Sequence, residues 1–143
     1  MREILDGLPP ELLRPLLPTL CEKIRRTGWA REFTSLVPSG EHQGEYSTVM
    51  LDGTDSFHST RVQCPGCLQR VDASGEVHFR HTVVAATRVK AGSHRVWPLE
   101  VEEVRNSDGQ AKQDCELHAA QRLLSRLREE HPQMPLIVGG DDL

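Results

Sequence analysis

Apolar residues recur at helical spacing at both ends of the chain and at strand spacing in its middle. Between residues 8 and 27, Leu13, Leu16, Leu17, Leu20 and Ile24 fall on one helical stripe. Pro15 and Pro18 interrupt its start, so the regular helix is predicted from about Pro18 to Thr27, with Gly28 as the stop. Residues 36–44, VPSGEHQGE, are rich in turn formers and predict a loop. A strand is expected over 46–51, where Val49-Met50-Leu51 meets Asp52-Gly53 and stops. A polar, turn-rich stretch follows. From Val77 the chain alternates again, with Val77, Phe79, His81, Val83 and Ala85 on one face. KAGS then turns it into RVWPLEVEEV, a partner strand in which Pro98 marks an edge or a bulge. A second turn signal stands at Asn106-Ser107-Asp108-Gly109. Residues 112–130 predict the clearest helix, with a stripe of Leu117, Ala120, Leu123, Leu124 and Leu127. Asp114 serves as its N-cap or first-turn acid, and Pro132 closes it. PLIVGGDDL reads as a last strand that runs into Asp141 and Asp142.

The order helix, strand, hairpin, helix, strand predicts an α/β fold. The long helix can supply the crossover that sets the last strand parallel to the first. Asp52 and Asp141 would then meet at neighbouring strand ends, about 4.8 Å apart. Two carboxylates so close repel each other unless a cation lies between them. Magnesium suits such oxygen ligands, and paired ions clamp the attacking and leaving oxygens of a phosphodiester. The competing reading of Asp52-Gly53 is plain turn chemistry.

Composition narrows the class. The 143 residues are enough for one domain, and only 4% are aromatic, so Leu, Val and Ala must build the core. The net charge of −4 argues against a surface that grips nucleic acid throughout, though not against a local basic patch. No apolar run approaches the ~20 residues of a membrane span. The N-terminus has early acids and scattered prolines, unlike a signal peptide, so a cytoplasmic location with reduced thiols is expected.

LDGTDSFHSTRVQCPGC, VHFRHTVVAATRV and NSDGQAKQDCELHAAQRLLSRLREEHPQMPLIV follow one another in the chain. Together they resemble the catalytic domain of bacterial insertion-sequence DDE transposases, in the ribonuclease H-like superfamily. The similarity covers roughly residues 45–143, and residues 1–44 would form an N-terminal helical segment and loop. The DGT strand end and DGQAKQDCELHAAQRLL, which is similar to the family stretch DG-x-x-KQDCE-x-x-AAKR, carry most of it. The resemblance implies a partial ribonuclease H-like mixed sheet: a strand, an antiparallel hairpin, a crossover helix and a parallel strand. It implies Mg²⁺-assisted DNA cleavage and strand transfer, with transposon ends and target DNA as partners and a homo-oligomer in the intact form. By position Asp52 matches the first acid and Asp141 the second, with Asp142 as the alternative. Gly139 and Gly140 are unusually small for positions just before a catalytic acid. The family's downstream Glu has no counterpart before Leu143, so the expected product is a transposase fragment, inactive alone. DGT also occurs in phosphatases with a D-x-D-G-T motif. Their nucleophile would stand at Met50, which cannot attack phosphorus.

Cys64-Pro65-Gly66-Cys67 has the spacing of a zinc knuckle. His78 and His81 are three apart in a strand and point to opposite faces, so only one can join the cysteines. His81 is the expected partner, and it also matches a His that the resemblance places there. Two free thiols on a hairpin are the alternative, as is a His that hydrogen-bonds near the acids. A redox role is disfavoured because no helix follows the C-x-x-C. A zinc-knuckle module contacting DNA or protein is the competing function. Arg122, Arg126 and Arg128 are read as a solvated face paired with Glu129 and Glu130, with DNA contact as the alternative. Trp29 and Trp97 are read as packing residues.

Overall fold

The computed structural model describes residues 15–38, 41, 43–105 and 115–140. It is an α/β structure with two α-helices and a six-stranded sheet in which four strand pairings are antiparallel and one is parallel. Helix α1 spans Leu16–Arg26 and stops at Gly28, whose φ of 81° suits a residue without Cβ. Its inward face carries Cys21 and Ile24, while Leu16 and Leu20 of the predicted stripe are exposed. Cys21 decides this rotation: Trp97 Nε1 donates a hydrogen bond to its Sγ at 3.2 Å.

A short 3₁₀ turn, Trp29–Phe33, leads into β1, Thr34–Val37, where the sequence predicts loop from residue 36. β2 runs Gly44–Ser59, straight through the predicted stop at Asp52-Gly53. The reason is β4, Val77–Val89, which is long enough to pair with β2 from Thr48 to Ser59. Gly53 pairs with Val84 and has no positive φ, so it makes no turn. A Cβ there would lie 2.6 Å from Glu116 Cδ, so this glycine admits the close approach of a helix.

β3, Leu68–Val71, lies in the stretch read as turn-rich and pairs with the start of β4. β5, Trp97–Val104, pairs with the rest of β4, and its register slips between Glu100 and Pro98, the expected bulge. Phe79 and Arg80 pair with both β2 and β3, and Thr82–Arg88 with both β2 and β5, so β3 and β5 share the outer edge of β4. After α2, Glu116–Glu130, the chain returns as β6, Leu136–Gly140. β6 is parallel to β2 on the edge away from β4. Asp114 lies outside the described residues, and Cys115 occupies the N-cap without a side-chain hydrogen bond.

Helix α2 packs on β4 and β5, and α1 on β5. The core is the face between them: Val49, Leu51, Val84, Ala86 and Leu99 against Ala119, Ala120, Leu123 and Leu127. Each large aliphatic side chain buried there contributes about 1.5–3 kcal/mol. Leu117 is exposed, and Ala119 takes its place in the buried stripe. No described helix is long and apolar enough to cross a membrane.

Arg122 and Arg126 face the sheet and do not form the solvated row expected of them. Glu100 and Glu102 of β5 are buried on the helix side. Arg122 Nε meets Glu102 Oε1 at 2.8 Å and Arg126 Nη1 meets Oε2 at 2.5 Å. Arg126 Nη2 also donates to the Val101 carbonyl, and Arg122 Nη2 to that of Glu103. Arg128 donates to the carbonyls of Pro132 and Met134 beyond the helix. Acids that close draw arginines inward, because a buried carboxylate is costly unless paired.

Candidate metal centre

Strand alternation separates the polar groups of the sheet into two sets. Thr82, Val84 and Ala86 of β4 face α2, so His81 points to the opposite face. There the 64–67 turn meets it. The Cys67 amide donates to the Cys64 carbonyl at 3.1 Å, closing the turn, and the Cys64 amide donates to Cys67 Sγ at 3.2 Å. His81 Nε2 lies 3.2 Å from Cys64 Sγ and 3.4 Å from Cys67 Sγ, and the two sulfurs are 3.6 Å apart. A tetrahedral zinc ion would set its sulfurs about 3.8 Å apart and sulfur to nitrogen about 3.5 Å. The three ligand atoms therefore already converge at near-tetrahedral spacing.

Behind the ring, His81 Nδ1 lies 3.4 Å from Glu103 Oε1. A carboxylate there fixes the tautomer that presents Nε2 as the ligand. The thiols are unequal. Burial pushes the Cys64 thiol up, but hydrogen bonds from Cys67, the Gly66 amide and His81 outweigh it and leave the net shift downward. Burial pushes the Cys67 thiol up, and the neighbouring Cys64 adds to this. The turn thus favours a first thiolate at Cys64, while a second needs a cation. Cys67 is buried and Cys64 exposed, which leaves a fourth coordination position on the solvent side.

His78 points the other way and joins a different cluster. Its Nε2 lies 3.1 Å from Asp72 Oδ2, and its Nδ1 is 2.9 Å from His58 Nε2. Asp72 Oδ1 accepts from the Ser74 amide and hydroxyl and from the Glu76 amide. The Ser74 hydroxyl and His78 hold the Asp72 carboxyl well below the usual range. This group closes the 72–76 turn and satisfies itself. Sequence reasoning missed it, because the partners of His78 are set by the β2–β4 register.

Asp52 stands in β2 opposite Ala85, exposed on the face away from α2. Asp141 and Asp142 lie outside the described residues. The last parallel pair sets Leu51 opposite Gly140, the residues that precede Asp52 and Asp141 in the chain. Gly139 stands opposite Met50, and a Cβ on it would lie 2.9 Å from Met50 Sδ, so the thioether occupies the space over the glycine. No protein-family model, curated protein or solved structure matches the chain.

Proposed function

We propose that the chain carries part of a ribonuclease H-like core of the DDE transposase kind, with Asp52 and Asp141 as its first two acids. The observation that carries this reading is the parallel register of β2 and β6. A central strand, an antiparallel hairpin, a crossover helix and a strand parallel to the first follow in that order, and Leu51 stands opposite Gly140. Asp52 fits a divalent ion in one respect: its carboxylate is exposed and points away from the packed helix face. Bound Mg²⁺ would supply charge stabilisation at the oxygens of a phosphodiester. Asp52 and Asp141 would orient it, and Glu116, which lies over Gly53 on the other face, does not complete the set. DNA is the proposed substrate. The test uses Mn²⁺ as a paramagnetic probe of the full chain. Amide signals of 51–53 and 138–140 should broaden, and D52N should abolish the effect. Equal broadening in D52N, or none, would overturn the reading.

A second reading is a non-catalytic zinc-knuckle module contacting DNA or protein. Its support is the convergence of Cys64, Cys67 and His81 with Glu103 behind the ring. Under this reading the C64S/C67S variant loses partner affinity and D52N does not, a pattern that a gel-shift titration with duplex DNA reads directly.

A further inference from the structure

A cavity of about 300 Å³ lies between α1, the start of β5 and the C-terminal end of α2, remote from the cysteine turn. It is at the small end of ligand pockets. One wall is apolar, from Trp97, Leu99 and Met134. The other holds Arg88, which is only 5% exposed. Its guanidinium carbon lies 5.1 Å from the Trp97 ring centroid. Its Nε is buried without a hydrogen-bond partner, and no carboxylate pairs with it, among the described residues. His131, where α2 ends, also lines the cavity and has a buried, unpartnered Nε2.

A buried cation without counter-charge is costly, and elsewhere this chain avoids it: Arg122 and Arg126 reach carboxylates. The two acids facing the cavity do not fill that role. Glu22 is held by Arg25 at 2.6 Å and by Arg26 at 2.9 Å. Burial, with Glu100 nearby, pushes the Glu130 carboxyl up, toward its neutral form. Burial, with Arg25 and Arg88 nearby, pushes the His131 imidazole down, which favours the neutral ring, and its unpartnered Nε2 can donate in one of the two tautomers.

We propose that this cavity binds a small organic anion, its carboxylate or phosphate head on the Arg88 guanidinium and His131 Nε2, and its flat apolar body against Trp97, Leu99 and Met134. The site is independent of the acids of β2 and of the cysteine turn.

Trp97 reports on it, and W29F removes the only other tryptophan. In full-length W29F protein, benzoate should change Trp97 fluorescence saturably. Inorganic phosphate should do so more weakly, because it lacks the body. R88M should weaken benzoate by at least about tenfold, the loss of one charge-assisted hydrogen bond. R88K should retain part of the binding. A30L fills the cavity from the 3₁₀ turn Trp29–Phe33 without removing a charge, and should also abolish binding if R88M fails to fold. A linear, unsaturable response, or benzoate binding unchanged in both R88M and A30L, would overturn the proposal. Phosphate binding with no response to benzoate would overturn the organic ligand.

Discussion

Two polar clusters on opposite faces of the sheet differ in how they settle their charge. Glu100 and Glu102 of β5 are buried, yet Arg122 and Arg126 reach them from α2, so that cluster is neutral within the chain. Cys64, Cys67 and His81 bring three metal-ligating atoms within reach of one another, and none of the three is a fixed cation. The first arrangement is charge-balanced within the fold, although Glu100 Oε2 and Arg126 Nε make no hydrogen bond among the described residues. The second is assembled as a set of ligand atoms: the sulfurs lie 3.6 Å apart, and making both of them thiolates would require a positive partner. Convergence without internal neutralisation separates a candidate site from a structural ion pair, and Arg88 in its cavity meets the same criterion with the opposite sign.

The comparison breaks most sharply at the cysteines. C64S/C67S should reduce bound zinc from one ion per chain to none, the loss of an interaction worth about 10 kcal/mol or more in small zinc peptides. The sheet should survive, because β2 and β5 still hold β4. Elemental analysis with hydrogen exchange of the Leu68–Val71 amides checks both halves; unchanged metal content and stability would remove the site.

Next is the finished cluster. R126M leaves Glu102 and Glu100 short of a counter-charge and should cost about 3–5 kcal/mol, read from the urea midpoint. Its pH dependence has a definite sign. Burial pushes the Glu102 carboxyl up, but the hydrogen bonds of Arg122 and Arg126 outweigh it and leave it below its ordinary 4.5. The native state thus binds fewer protons than the unfolded one. The contribution is complete above about pH 4.5 and declines as pH falls toward the folded value. E102Q should flatten that acid limb.

The smallest effect sharpens the contrast. E103Q should weaken zinc by about 10–100-fold while leaving the fold unchanged, because the Glu103 carboxylate orients His81 and its other partner, Arg105 at 4.0 Å, is an exposed surface pair. Competition against a chelator measures it. Equal affinity would mean the ring is held by the β4 backbone alone.

The candidate metal group was legible in the sequence because its rule is local. A C-x-x-C needs only a tight turn, and alternation sends His78 and His81 to opposite faces, as observed. Of the expected acidic pair, the structure describes the parallel register of β2 and β6 and the place of Asp52, while Asp141 and Asp142 lie outside the described residues. Other features were hidden because they depend on partners. β1 and β3 are four residues each, too short to show a period against turn-forming neighbours. The local turn propensity of Asp52-Gly53 predicts an end to β2 that pairing with β4 overrides. The arginines of α2 looked solvated because Glu129 and Glu130 are near in sequence, whereas Glu102 is near only in space. Trp29, expected to pack, is mostly exposed, with Arg95 over its ring.

By itself the sequence determined the main elements, the crossover order and the cysteine turn with its histidine. These rest on periodicity and on steric limits that act within a few residues. Only the tertiary structure decided where β2 ends, which way each arginine points, and that Arg88 is buried without a partner. Those outcomes depend on free energies of pairing and burial between residues far apart in the chain, which no local pattern encodes.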